Sequence, residues 1–155
     1  MTVKFRNVDA SPDDDVQTWP FEALVTVIER GLVPDWKPVL DEIRRSPWGS
    51  VARRVERYLS SRAPDADRAG TLFALAIENA RRKEELADRS EVAERVRKAV
   101  ASTGLTNAEF ANLIGTSASR LSTYRSGKVV PSAAMLIRIE RATARIASES
   151  AEHES

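Results

Sequence analysis

The chain has 155 residues, 42% of them hydrophobic and 30% charged, with a net charge of +1: enough for one domain or two small ones of ordinary globular composition. It has no cysteine and a single histidine, His153, third from the end, which argues against disulfides, thiolate zinc sites, histidine metal clusters and serine–histidine or cysteine nucleophiles. No uncharged apolar run approaches the roughly 20 residues of a membrane span, and the opening MTVKFRNVDASPDDD lacks the apolar stretch of a secretory signal, so a cytoplasmic protein without metal or cofactor is expected.

Residues 1–16 read as a flexible N-terminus. Its run Asp13 to Asp15 is a solvated acidic turn rather than a magnesium site, because no partner carboxylates or phosphate loop accompany it. The stretch WPFEALVTVIER then places Phe21, Leu24, Val25 and Ile28 on one helical stripe, with Pro20 suited to the first helical position and Gly31 to the stop. A second helix is predicted from Pro34 to about Arg45, with Trp36, Val39, Leu40 and Ile43 inward and Pro38 near its first turn. Ser46-Pro47 reads as the cap and first position of a third, carrying Val51, Val55 and Leu59. Ala63-Pro64-Asp65 breaks the chain.

From about Ala66 to Thr103 a helical pattern runs almost unbroken. It is apolar at first (Leu72, Phe73, Leu75, Ala76, Ile77), highly charged through RRKEELADR, and periodic again at Val92, Val96 and Val100. Asp88 or Ser90 offers a cap for a new helix, but a helix polar all round often spans solvent between domains, so one bridging helix is expected. No stretch alternates at period two, and no strands are predicted. The end, ASESAEHES, has no apolar anchor and is predicted to be disordered from 147.

Trp19, Trp36 and Trp48 all lie beside prolines in a 30-residue stretch. As the core of a small helical domain they need no function. As a surface they would mark a protein-partner site, since tryptophan is enriched at binding hot spots.

Charge is uneven along the chain. Residues 1–90 carry 15 basic against 16 acidic side chains, whereas residues 100–146 carry six basic against two acidic, a local +4 that suits a polyanion-binding face. Within this segment, residues 105–128 read LTNAEFANLIGTSASRLSTYRSGK. Thr106 and Glu109 have capping-box spacing, Phe110, Ala111 and Ile114 face inward, and Gly115 permits a sharp turn. Thr116 or Ser117 caps a second short helix with Leu121 and Tyr124 inward, ending at Ser126-Gly127. Two short helices about a glycine turn describe a helix-turn-helix.

The segment resembles the Xre/Cro-type, lambda-repressor-like DNA-binding family over about 92–146. The resemblance rests on Leu105-Thr106, Ala111, Gly115, Ser117, Leu121 and Gly127-Lys128, followed by Pro131-Ser132 opening a helix with Leu136 and Ile139 facing in. It departs from the family where Asn107 replaces the usual glutamine, and where Ala118, Ser119 and Thr123 replace long polar residues at base-reading positions. Helical periodicity predicts an N-terminal small helical domain (17–88) and a long bridging helix, to which the resemblance adds a C-terminal lambda-repressor-like helix-turn-helix domain (89–146), an all-α fold with a tail at 147–155.

It also implies sequence-specific double-stranded DNA binding by a bacterial transcriptional regulator, most simply a repressor, acting as a homodimer at the nucleoid. On a helical wheel, Ser119, Ser122, Thr123 and Ser126 oppose the buried side of helix 117–126. Ser117, Ala118, Ser119, Ser122 and Thr123 are therefore the candidate base readers. Arg120, Arg125 and Lys128 are candidate phosphate contacts, joined by Asn107 at a helix N-terminus. Arg138, Arg141 and Arg145 share a face that is solvated or touches DNA. An antitoxin, whose N-terminal half neutralises a partner protein while the other half represses its operon, is the alternative. A ligand-sensing N-terminal domain is a third reading, and the sequence offers no enzyme site.

Overall fold

Apolar residues recurring every three or four positions fold as helices throughout the computed structural model, which describes residues 4–5, 9–62 and 68–154. In chain order these are α1 (Phe21–Arg30), α2 (Val33–Arg45), α3 (Ser50–Ser60), α4 (Arg68–Thr103), α5 (Asn107–Ile114), α6 (Ala118–Arg125) and α7 (Ala133–His153), with a 3-10 turn at Val16–Thr18. Among the described residues there is no strand, and no helix is long and apolar enough to cross a membrane. The predicted break at Ala63-Pro64-Asp65 and the expected helix start at Ala66 lie outside the described residues. The chain divides into two units, Met1–Glu84 and Glu85–Ser155.

In the first unit, α1, α2 and α3 bury Leu24, Ile28, Val39, Ile43, Val51 and Val55 against Phe73 and Ile77 of α4. Local punctuation differs from the sequence reading in three places. Pro20 is the N-cap of α1 rather than its first residue. α2 starts at Val33, where the Asp35 carboxylate accepts the Leu32 N–H at 2.8 Å, and Pro38 lies inside the helix. Ser46-Pro47 does not open α3; it forms a turn closed by Gly49 N–H on the Ser46 carbonyl at 2.9 Å, and Gly49 is the cap.

Residues 1–16 are not uniformly loose. Val16 is buried, Phe5 sets its ring edge-on to Trp19 at 5.1 Å, and the Trp19 indole N–H donates to the Asp14 carbonyl at 3.0 Å. The acidic run itself closes turns, with Asp14 accepting from Ser11 N–H and Asp15 from Gln17 N–H. Packing of one aromatic residue across ten or more positions overrides a polar local composition.

The three tryptophans separate. Trp19 is 2% exposed, and Trp36 packs on the same core with its indole N–H on the Val27 carbonyl at 2.9 Å. Only Trp48 faces solvent, 51% exposed, with the Arg81 guanidinium 4.5 Å above its ring. That guanidinium also donates to both Glu56 carboxylate oxygens (2.7 and 3.1 Å) and to the Pro47 carbonyl (3.1 Å). Glu56 is accordingly held below the ordinary carboxylate range by its hydrogen bonds from Arg81.

α4 is one continuous helix, with neither Asp88 nor Ser90 starting a new one. Its buried residues fall in two separate stripes, Phe73 and Ile77 in the first unit and Ala93, Val96 and Val100 in the second. In the second unit, Val96 and Val100 meet Phe110, Ile114, Leu121 and Ile139 in a core of their own.

The predicted disordered tail is a correction: α7 continues through His153. Once a helix is nucleated by its packed turns, each added residue gains a backbone bond at little cost, and Ala and Glu propagate it well. The Ser148 and Ser150 hydroxyls fold back onto the Ala144 and Ile146 carbonyls (both 3.0 Å) instead of competing with the helix.

Candidate nucleic-acid interface

The motif is assembled from caps. The Thr106 hydroxyl accepts the Glu109 N–H at 3.2 Å while the Glu109 carboxylate accepts the Thr106 N–H at 2.8 Å, so two orphan donors of α5 are satisfied reciprocally. That backbone bond, with the Thr106 side chain second, holds the Glu109 carboxyl below its ordinary range. At the other end Gly115 takes φ +75°, with Thr116 N–H on the Ala111 carbonyl (2.9 Å) and Gly115 N–H on Asn112 (3.2 Å), the paired bonds of a Schellman stop. Arg138 from α7 adds a cation there, donating to the Ile114 carbonyl at 3.2 Å. This gives Arg138 a structural task, while Arg141 and Arg145 are exposed.

Ser117 caps α6 by accepting the Arg120 N–H at 3.1 Å. Leu121 and Tyr124 anchor the helix in the core, and Ala111 is buried on α5, the helix that packs against α6. The opposite side presents Ser117, Ala118, Ser119 and Ser122, all exposed, and Thr123, half-buried.

All but one of the hydroxyls on this side are already engaged. Ser122 donates to the Ala118 carbonyl (3.0 Å), Thr123 to Arg120 (2.6 Å) and Ser126 to Thr123 (3.2 Å). Ser119 carries no side-chain hydrogen bond among the described residues.

The basic residues occupy distinct settings. Arg120 lies along Tyr124, its Nε donating to the phenol oxygen at 3.0 Å with the guanidinium 5.9 Å from the ring centre. Arg125 donates to Asn107 Oδ1 at 3.2 Å, and Lys128 is exposed with no ion pair among the described residues.

Asn107 also uses both amide hydrogens, on the Ala118 carbonyl (2.9 Å) and on Ser122 Oγ (3.2 Å). The residue expected at a phosphate is therefore a bridge between α5 and α6 in this geometry. A cation outside the candidates completes the group: Arg97 of α4 donates to the Arg125 carbonyl at 2.6 Å, steadied by Glu94. The basic count over 100–146 omits it, although the Glu94–Arg97 spacing on a helix signals an ordered side chain.

Residues 95–145 match the Helix-turn-helix family. The match covers α5, α6, the C-terminal turns of α4 and most of α7, so this segment is a helix-turn-helix DNA-binding domain of the lambda-repressor-like kind. No curated protein and no solved structure matches the chain.

Proposed function

We propose that the protein is a sequence-specific double-stranded DNA-binding transcriptional regulator, a repressor that acts as a homodimer at the nucleoid in the cytoplasm. The observation that carries this reading is α6 itself. It is capped and fixed on one side by Leu121 and Tyr124, exposes only short side chains on the other, and is flanked by Arg120, Arg125 and Lys128. Short side chains let a helix backbone approach the major groove closely. Serine and threonine bond several base edges, and Ala118 offers a methyl to thymine. The flanking cations supply salt-dependent affinity and fix register on phosphates without reading sequence.

The partner-protein surface that an antitoxin needs finds less support. With Trp19 buried and Trp36 in the core, the tryptophan surface reduces to Trp48.

Selection from a random duplex library, followed by a salt titration on the winning sequence, tests the proposal. A two-fold enriched motif with affinity falling steeply with salt is the expected result. Binding without enrichment, or no binding at low salt, overturns it.

A further inference from the structure

The first stripe of α4 leaves the other side of that helix uncovered. Leu72 (42% exposed), Leu75 (51%) and Leu86 (61%) stand there in solvent, with Asn79 and Arg82 between them. The spacing 72, 75, 79, 82, 86 alternates three and four, the a/d seam of a coiled coil, and it lies away from Phe73 and Ile77, which are buried.

The positions flanking the seam are Glu78 and Glu85 on one side and Ala76 and Lys83 on the other. In a parallel pair of these helices, Glu78 faces Lys83 of the second copy, five residues on. In an antiparallel pair the Glu78/Glu85 rows face each other and repel. Asn79 at a seam position bonds its own counterpart across a two-fold axis and fixes register and strand number at a cost in stability.

We infer that this face of α4 is the homodimer contact, a parallel two-stranded coil with a second copy of the same chain. The inference rests on the homodimer part of the proposed function and names its surface. Arg82, paired with Glu78 on its own helix, occupies the remaining seam position and keeps the coil short and the dimer weak.

The test is sedimentation equilibrium of the full chain over a range of concentrations, with circular dichroism as the folding control. Leu75→Glu should render the chain monomeric with its helicity intact. Glu78→Lys and Lys83→Glu should each weaken self-association, and an equimolar mixture of those two variants should recover it as a heterodimer, since every cross-pair is then of opposite sign.

A dimer that persists in Leu75→Glu, or a mixture no tighter than its components, overturns the inference and leaves the homodimer reading intact. A wild-type chain monomeric both free and on its selected DNA overturns the homodimer reading itself.

Discussion

Asn107→Ala is the most informative single change, because two roles for the residue predict opposite results. The structure gives its side chain three hydrogen bonds: to the Ala118 carbonyl, to Ser122 Oγ and from Arg125. A typical intramolecular bond contributes about 0.5–1.5 kcal/mol net, and here all the partners reach solvent, so no burial penalty is added and the low end applies. Alanine recovers about 0.5 kcal/mol of helix propensity at the first position of α5. A loss of about 1 kcal/mol remains, which in a domain of this size lowers Tm by roughly 4–8 °C.

The assay is thermal unfolding read by two probes. All three tryptophans, Trp19, Trp36 and Trp48, belong to the first unit, so their fluorescence reports that unit while circular dichroism reports both. The dichroism melt should shift to lower temperature and the tryptophan melt should stay. DNA affinity should fall modestly and equally for all sequences. An unchanged melt combined with a sharp loss of DNA affinity would refute the bridge and return Asn107 to a phosphate.

Other expectations follow from the same geometry. Arg125→Ala should weaken binding to every sequence and reduce the slope of log affinity against log salt by about one, measured by titration; an unchanged slope removes Arg125 from the phosphate set. Thr123→Ala should relax preference at one base pair in competition binding, and a uniform loss would sink that assignment. Gly115→Ala should cost about 1–2 kcal/mol from φ +75° alone, because its new methyl meets only Arg138 Nη1 at 3.8 Å. Gly31→Ala has an ordinary φ of −74° but puts Cβ 2.3 Å from the Val27 carbonyl oxygen, so it should cost more; the reverse order in unfolding experiments contradicts this. The lowered Glu109 pKa means its capping bond stabilises above the ordinary value of 4.5 and is lost as pH falls through the lower folded value. Glu109→Gln should therefore show less acid sensitivity than wild type in that window.

Features settled within one helical turn were legible in the sequence. Thr106 and Glu109 stand three apart and Gly115 ends a periodic run, so the capping box and the turn needed no tertiary knowledge. The continuity of α4 was legible for a similar reason, since charged helix formers carry the pattern between two apolar stripes.

Features decided by distant partners were not legible. Trp48 was indistinguishable from Trp19 because its partner Arg81, itself held by Glu56 of α3, lies 33 residues further along the chain. Asn107 looked like a free helix-start amide because its partners lie 11 to 18 residues further on, and only the crossing of α5 with α6 brings them within reach. Ser46-Pro47 carries the chemistry of a cap, yet its backbone is spent on a turn and Gly49 takes the place.

The short-side-chain face of α6 has a further consequence for what it reads. The hydroxyl hydrogens of Ser122, Thr123 and Ser126 are given to backbone carbonyls, and Ser122 and Ser126 also accept from the Asn107 amide and the Lys128 N–H, so what these oxygens can still offer a base is acceptor capacity only. Acceptors pair with the amino groups of adenine and cytosine, and turning one to donate to guanine or thymine forfeits its helix bond. Ser119 alone can donate or accept without that cost, and Ala118 and the Thr123 methyl suit thymine. A face of this kind distinguishes fewer base pairs than one with arginine or glutamine. On the function proposed above, the remaining specificity comes from the shape and deformability of the duplex, felt through the phosphate contacts proposed for Arg120, Arg125 and Lys128.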